Sequence, residues 1–168
     1  MDVQEHLRPD ALVIDVCSLK MLPCQWMLEL LPQTVGIVGT HPLFGPQSAP
    51  DAIAGQRIAV CPVRGDHAKV ARFLAQLGLE VIECSPEEHD RQMAVSQALT
   101  HFIGRAMLAG DFEPVQLSTL TYDRLCDIAR IIGGNSNELF EDMQQLNPFA
   151  AAARRKFLEV ASKLDAVL

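Results

Sequence analysis

The sequence has few of the features that mark nucleic-acid-binding or membrane proteins. Its 168 residues carry 14 Lys and Arg against 21 Asp and Glu, a formal charge of −7, and only one Trp and one Tyr. This acidic balance argues against nucleic acid or an anionic membrane surface as the main partner. No apolar run is long enough to span a bilayer and no signal peptide is recognisable, so we expect a cytoplasmic protein.

Cysteine and glycine occur without the spacings that give them special roles. The five cysteines form no Cys-x-x-Cys pair and no zinc spacing. This pattern predicts reduced thiols, with Cys17, Cys61 and Cys84 buried in strands. The ten glycines include no Gly-x-Gly-x-x-Gly turn, the motif that holds a dinucleotide pyrophosphate at a helix N-terminus.

The hydrophobic pattern changes character near residue 85. Before it, short apolar runs of strand length occupy residues 11–16, 35–39, 57–62 and 79–84, with helical spacing at 21–31 and 66–78. After it, only helical spacing is found, at 86–108, 114–132, 136–146 and 148–166. We therefore predict an α/β domain over residues 1–85, with a crossover helix at 66–78, and an all-helical domain over residues 86–168.

His41 lies at the end of one of the predicted strands. It follows the apolar run 35–39 and precedes a Pro-Leu-Phe-Gly-Pro loop, in which Pro42 and Pro46 restrict the backbone. The carboxyl ends of strands are where α/β proteins build active sites. Taken alone, His41 also fits a solvated loop histidine, so its role depends on the segments that accompany it.

Two further polar segments accompany His41 in a fixed order. An Asp-x-x-Ser-x-Lys motif begins at Asp15, and a His-Asp pair begins at His89, with another histidine twelve residues after it. Together with Thr-His-Pro-x-Phe-Gly-Pro, this ordered set resembles the prephenate and arogenate dehydrogenases of tyrosine biosynthesis, the plant-type arogenate enzymes above all. The resemblance continues through Leu139-Phe140 and Asn147-Pro148, so it covers nearly the whole chain.

The resemblance implies a reaction and a fold. These enzymes oxidise a ring carbinol, release carbon dioxide and pass a hydride to NAD or NADP. The implied fold is the C-terminal part of a Rossmann-type nucleotide-binding domain over residues 1–85, followed by a helical substrate and dimerisation domain over residues 86–168. Since the Gly-x-Gly-x-x-Gly half of the family is absent, we expect the chain to start partway through that fold. We also expect a homodimer, because so short and apolar a set of helices leaves faces to cover.

The resemblance also implies roles for residues of the first domain. His41 corresponds to the general base that takes the hydroxyl proton, a task that suits an imidazole near neutral pH. Ser18 would hydrogen-bond near this base and, with Thr40, contact the cofactor. Ser18 also fits a helix N-cap, and Lys20 also fits a solvated lysine of the first helical turn.

Polar residues follow one face of the long helix that starts the second domain. Positions 90, 94, 97 and 101 fall in a narrow stripe at 100° per residue, which aligns Asp90, Gln97 and His101. Such a stripe faces either a ligand or an internal hydrogen-bond network. With the resemblance added, we expect His101 and Gln97 to bind substrate, Asp90 to orient the site and His89 to support it.

A substrate carboxylate calls for an arginine. Arg130 resembles the carboxylate-binding arginine of the prephenate-using enzymes, although the match needs a one-residue insertion and plant-type arogenate enzymes lack that arginine. Arg91, Arg105 and Arg124 are alternatives, and a solvated helix face fits each of them. The choice between prephenate and arogenate therefore stays open.

Two functions from different classes fit these observations. In the first, the chain is a prephenate or arogenate dehydrogenase whose phosphate-binding half is supplied by another segment or partner chain. In the second, it is a non-catalytic homologue that binds an arogenate-like metabolite or pairs with a full-length relative. We expect no metal site, because His41, His89 and His101 lack metal-ligand spacing and hydride transfer needs no metal.

Overall fold

The computed structural model describes residues 6–45 and 52–168. Pro46, which closes the predicted loop after His41, and the first five residues lie outside this part of the chain. The chain divides into two compact units, Met1–Asp90 and Arg91–Leu168, and each is described by itself below. None of the helices within the described ranges is long and apolar enough to cross a membrane.

The first unit is built on one mixed sheet. Its strands are β1 (Leu12–Asp15), β2 (Gly36–Pro42), β3 (Arg57–Arg64) and β4 (Glu80–Glu83), and they lie side by side in that order. β1 runs parallel to β2 and β3 runs parallel to β4, whereas β2 and β3 are antiparallel. Helix α1 (Met21–Leu30) connects β1 to β2, and α2 (His67–Gln76) connects β3 to β4. The parallel β3–β4 pair confirms the predicted crossover helix.

Helix α2 covers the centre of this sheet. Val70 packs against Val38 of β2 and Val60 of β3 in a buried cluster. The helix begins where the Asp66 carboxylate accepts a hydrogen bond from the Lys69 backbone N–H, 3.2 Å away. It is followed by Gly78, whose φ of +83° suits glycine. Both ends agree with the helical spacing predicted for residues 66–78.

The second unit consists of helices joined by loops. Helix α3 (Pro86–Met93) leads into it from the first unit. A π-helical segment (Ala94–Leu99) and four further helices follow: α4 (Thr100–Ala109), α5 (Leu120–Gly133), α6 (Asn137–Gln145) and α7 (Ala150–Asp165). The Ser85 hydroxyl caps α3 by accepting from the Glu88 backbone N–H at 3.1 Å, and Pro86 takes the first helical position, which agrees with the helix predicted from residue 86. The division between the compact units falls after Asp90 in the sequence, and the proposed domain boundary at residue 85 stays a prediction.

Helix α5 starts later than predicted. The sequence pattern predicts a helix from residue 114, but α5 begins at Leu120. The Thr119 hydroxyl accepts a hydrogen bond from the Tyr122 backbone N–H at 3.3 Å and so sets the helix start. The apolar residues ahead of it, such as Leu117, are exposed and do not belong to a helical stripe.

The π-helical segment corrects the predicted polar stripe. A π turn closes i→i+5 hydrogen bonds and holds more residues than an α turn. The 100° spacing that aligned Asp90 with Gln97 and His101 is therefore interrupted at Ala94–Leu99. Asp90 itself belongs to the first unit, whereas Gln97 and His101 belong to the second.

The cysteines are reduced, but not all are buried. Cys61 lies in β3 and is buried, as predicted. Cys17 is exposed and Cys84 is half-buried, because β1 ends at Asp15 and β4 ends at Glu83. The prediction that Cys17 lies within a buried strand was wrong, since the chain has already left β1 where Cys17 occurs.

Gly39 of β2 provides a test of this packing. A Cβ atom at this position would lie 2.7 Å from Cys24 Sγ and 3.2 Å from Lys20 Cδ. We expect Gly39→Ala to lower the free energy of unfolding by about 1–3 kcal/mol, through overpacking of a buried site. Urea denaturation measures the loss. Gly45→Ala is the matched control, since a Cβ there meets nothing within 4 Å; equal stability of the two variants would contradict the prediction.

Candidate functional site

Two histidines from different elements meet in the first unit. His41 lies on β2, where it pairs with Ala59 of β3, and its side chain is buried. Its Nδ1 is 2.9 Å from Nε2 of His89, which lies on α3. The two rings meet edge to face with centroids 5.1 Å apart. The structure thus brings together two of the histidines that the ordered motifs pointed to.

Asp90 completes a chain of hydrogen bonds from β2 to α1. One of its carboxylate oxygens lies 2.8 Å from Nδ1 of His89. The same carboxylate accepts hydrogen bonds from the backbone N–H of Lys20 at 2.8 Å and of Met21 at 2.9 Å. A side chain seventy residues along the chain therefore caps helix α1. The reading of Ser18 as the N-cap of this helix was wrong, because Asp90 takes that role.

These contacts determine which imidazole nitrogens carry protons. Asp90 already accepts two backbone N–H groups, so its oxygens act as acceptors and His89 donates through Nδ1. Nε2 of His89 then holds a lone pair and accepts the Nδ1–H of His41. The remaining nitrogen of His41, Nε2, is left with a lone pair that can take a proton.

The surroundings of His41 keep its imidazole neutral. Burial lowers the pKa of His41 to about 3, assisted by the neighbouring His89 and by the positive charge of Lys20. The carboxylate of Asp90 opposes this shift. At neutral pH the His41 imidazole is therefore uncharged and available as an acceptor.

Lys20 is fully buried, which overturns the reading of it as a solvated lysine. Its ammonium pairs with the Asp15 carboxylate and donates a hydrogen bond to the Thr40 carbonyl at 2.6 Å. Sequence reasoning missed this role, because a lysine one residue before a helix is commonly solvated. The available signal was its position between Leu19 and Met21, two apolar neighbours.

Thr40 belongs to this network, and Ser18 lies two residues before Lys20. Ser18 is half-buried in the loop between β1 and α1. Thr40 is buried, and its hydroxyl donates to the Asp15 carbonyl at 2.6 Å. The suggested cofactor contacts of both residues stay predictions.

The second unit contains a cavity of about 190 Å³ with one polar and one apolar wall. Its lining residues are Ser96, Gln97, Thr100, His101, Ile128, Ile131 and Ile132. Nδ1 of His101 is buried and has no hydrogen-bond partner among the described residues. Burial lowers the pKa of His101, and the neighbouring Arg105 lowers it further. The predicted substrate residues Gln97 and His101 thus line one cavity, and His101 presents a neutral ring.

Arg130 does not line this cavity. Its side chain is 74% exposed and lies 3.4 Å from Asp127, one turn earlier on α5. Among the alternatives, Arg105 donates to the Asn135 carbonyl and to the Asn137 side chain, and Arg91 lies over the Phe149 ring, 4.4 Å from its centroid. The assignment of a carboxylate-binding arginine stays a prediction.

Comparison with protein families gives two matches that together cover almost the whole chain. Residues 1–83 match the family model described as prephenate dehydrogenase, nucleotide-binding domain. Residues 85–168 match the model described as prephenate dehydrogenase, dimerization domain.

Curated relatives extend this comparison. Arogenate dehydrogenase 2, chloroplastic, of Arabidopsis thaliana is 33% identical over 169 residues, which cover 96% of this chain and 45% of that protein. A probable arogenate/prephenate dehydrogenase of Methanocaldococcus jannaschii is 29% identical over 180 residues, covering 99% of this chain and 40% of that protein. The chain therefore spans less than half the length of these relatives.

Solved structures share the fold. Prephenate dehydrogenase from A. aeolicus, crystallised with hydroxyphenyl propionate and NAD+, aligns with a TM-score of 0.75 at 20% identity over 98% of this chain and 62% of that chain. Synechocystis arogenate dehydrogenase aligns with a TM-score of 0.72 at 18% identity over 98% of this chain and 64% of that chain.

The hydrogen-bond chain predicts the tautomer of each histidine. We expect ¹⁵N NMR of the imidazoles at pH 7 to show a proton on Nδ1 and none on Nε2 for both His41 and His89, since each Nδ1–H has its acceptor in place. Spectra of His41→Gln and His89→Gln variants assign the signals, and exposed His6 provides the solvated reference. Protonation of Nε2 in His41 would contradict the proposed direction of the hydrogen bonds, from His41 to His89 and from His89 to Asp90.

Proposed function

Because the chain belongs to the prephenate dehydrogenase family, we propose that it carries the proton-accepting and ring-binding parts of a dehydrogenase acting on prephenate or arogenate. The reaction oxidises the ring carbinol, releases carbon dioxide and passes a hydride to NAD or NADP. The observation that carries this proposal is the chain of hydrogen bonds from Asp90 through His89 to His41.

In the proposed mechanism, Nε2 of His41 takes the proton of the substrate hydroxyl as hydride leaves the ring carbon. A histidine whose pKa is lowered to about 3 is a weak base by itself. The hydrogen bond to His89 compensates, because His41 can pass its Nδ1 proton to His89 as it gains one on Nε2. The positive charge then resides on His89, beside the Asp90 carboxylate. Asp90 thus orients the pair and stabilises the cation.

The cavity of the second unit supports a ring ligand. Its volume of about 190 Å³ compares with the roughly 150 Å³ of a protein cavity that accepts benzene. The three isoleucines offer an apolar wall to one side, and Gln97 and His101 offer hydrogen bonds to polar substituents. The unpartnered Nδ1 of His101 supports ligand contact over an internal network. Arg130 is kept as a proposed carboxylate ligand, with its exposure as the observation against it.

Cofactor binding requires parts that the described chain does not offer. Ser18 and Thr40 are the proposed contacts on the nicotinamide side, while the Gly-rich turn for the pyrophosphate is absent from the sequence. In the described part of the sheet, β1 is an end strand, so one of its edges is unpaired. An additional segment or partner chain that supplies the Gly-rich turn would cover this edge.

The second unit is also proposed to form a homodimer. It exposes many large apolar side chains, among them Val95, Leu120, Leu158, Val160 and Leu164. Exposed apolar surface on this scale favours association, and isologous pairing of two copies is its simplest form. The match of residues 85–168 to a dimerization domain supports the same conclusion.

Ligand-induced stabilisation tests the proposed function directly. We expect the melting temperature of the purified chain to rise with the concentration of prephenate or arogenate, because a ligand that binds only the native state stabilises it. NAD and NADP are tested separately. In His101→Ala the rise with ring ligand should fall by more than half at equal concentration, whereas His67→Ala, outside the cavity lining, should keep it. No shift with any of the four compounds would contradict the proposal. A shift with ring ligand alone favours a non-catalytic binding protein or a chain that needs a partner.

Substitution of the proposed base tests the mechanism. In a preparation that turns over, we expect His41→Asn to lower kcat by about 100-fold or more, the usual contribution of a positioned general base. Melting temperature and ring-ligand stabilisation should stay near the wild-type values, because the introduced amide can still donate toward His89. His6→Asn changes an exposed histidine and is the matched control. Turnover within twofold of wild type would show that His41 is not the general base.

A further inference from the structure

A lysine ammonium that is removed from water is hydrogen-bonded to the residue before the proposed base. The Lys20 side chain has no exposed surface, an arrangement that lysine rarely adopts without a partner. Its ammonium pairs with the Asp15 carboxylate and donates to the carbonyl of Thr40, the residue directly before His41. The cation is therefore bonded to the peptide unit that carries the base.

The aliphatic part of the Lys20 side chain packs against β2 at Gly39, where there is no side chain. A Cβ at Gly39 would lie 3.2 Å from Lys20 Cδ and 3.3 Å from Asp15 Oδ2, so the glycine leaves room for both members of the ion pair. The Thr40 hydroxyl donates back to the Asp15 carbonyl. Lys20, Asp15 and Thr40 thus tie the ends of β1 and β2 together just ahead of His41.

Stability alone explains this arrangement poorly. A buried ion pair loses so much hydration that apolar residues of similar volume often stabilise a fold equally well. A fixed positive charge close to an imidazole, in contrast, has a direct effect on whether that imidazole holds a proton. The geometry therefore favours a role in the site over a role in folding.

We propose that Lys20 is a positioning residue for His41: its buried ammonium fixes the carbonyl that precedes the imidazole and, as a nearby positive charge, opposes protonation of the imidazole. This role rests on the proposed function for the part that His41 plays in proton transfer. The effect of Lys20 on the imidazole is independent of turnover.

The charged and titratable groups around His41 define the sign of the effect. His89 and Asp90 approach from α3, Lys20 from the start of α1, and Asp15 from the end of β1. Burial lowers the pKa of His41 most, His89 and Lys20 lower it further, and Asp90 raises it. The thiol of Cys24, beside this pair, has its pKa raised to about 11 and stays uncharged. Removing the Lys20 charge should therefore raise the pKa of His41, and protonation should begin at higher pH.

The test is an NMR titration of the His41 imidazole in the full chain without substrate. We expect Lys20→Met, which keeps the length of the side chain, to move the titration of His41 to higher pH by about one unit. Asp15→Asn keeps the cation, so it should leave the titration unchanged or move it to lower pH. Lys69→Met removes an exposed lysine of α2 and is the matched control.

A second variant covers the case in which Lys20→Met does not fold because Asp15 is left uncompensated. Asp15→Asn/Lys20→Met removes both charges and should also raise the titration pH of His41. A rise of less than about half a unit in the titration pH of His41 in the folded variant would overturn the proposal. So would a His41 imidazole that stays neutral, in wild type and variant alike, down to the lowest pH at which the native spectrum persists. Turnover that is unaltered in His41→Asn would contradict the proposed function. If the titration of His41 in Lys20→Met still moves to higher pH, the action of Lys20 on the imidazole stands.

Discussion

The first unit depends on the buried carboxylate of Asp90, which is hydrogen-bonded to donors from α1 and α3. Asp90 accepts the backbone N–H groups of Lys20 and Met21 and holds His89 through its ring N–H. A charge taken out of water is costly unless such donors replace its hydration, and the N-terminus of α1 adds a favourable dipole. Neither α1 nor the start of α3 can therefore shift without leaving this carboxylate uncompensated. Through His89 the same constraint extends to β2 and to His41.

Burial, the neighbouring His89 and two fixed charges of opposite sign give the His41 imidazole its properties. The buried ammonium of Lys20 disfavours a proton on His41, and the carboxylate of Asp90 favours one. Because Asp90 acts through His89, a proton that arrives at Nε2 of His41 can be balanced at the far end of the pair. The charges are held by the fold and do not need to rearrange when the proton moves, which is the condition for electrostatic catalysis in a site of low dielectric.

Local patterns predicted the elements well and their long-range partners poorly. The strands, the crossover helix and the start of α3 follow from apolar spacing and from Ser85 and Pro86, all of which act within a few residues. The ordered motifs also brought His41, His89 and Asp90 into one site. Lys20 was less predictable, because its partners include a carbonyl twenty residues away.

Other features depend on tertiary contacts that no local pattern records. The cap on α1 comes from seventy residues downstream, so Ser18 looked like the better candidate. The π-helical segment shares the apolar spacing of an α-helix and differs from it only in hydrogen-bond register. The exposure of Arg130 depends on how α5 packs, which its sequence neighbours do not determine.

The position of Asp90 in the chain has a consequence for how the first unit is made. During synthesis, α1 and the end of β2 leave the ribosome long before the residue that caps the helix. A chain that stops at residue 83, where the first family match ends, contains His41 and Lys20 but neither His89 nor Asp90. The hydrogen-bond chain from Asp90 to His41 is therefore completed only when α3 has been synthesised as far as Asp90 and has docked. Formation of the site is a late, non-local event in folding, since loop closure over such a distance precedes any gain from the contacts it brings.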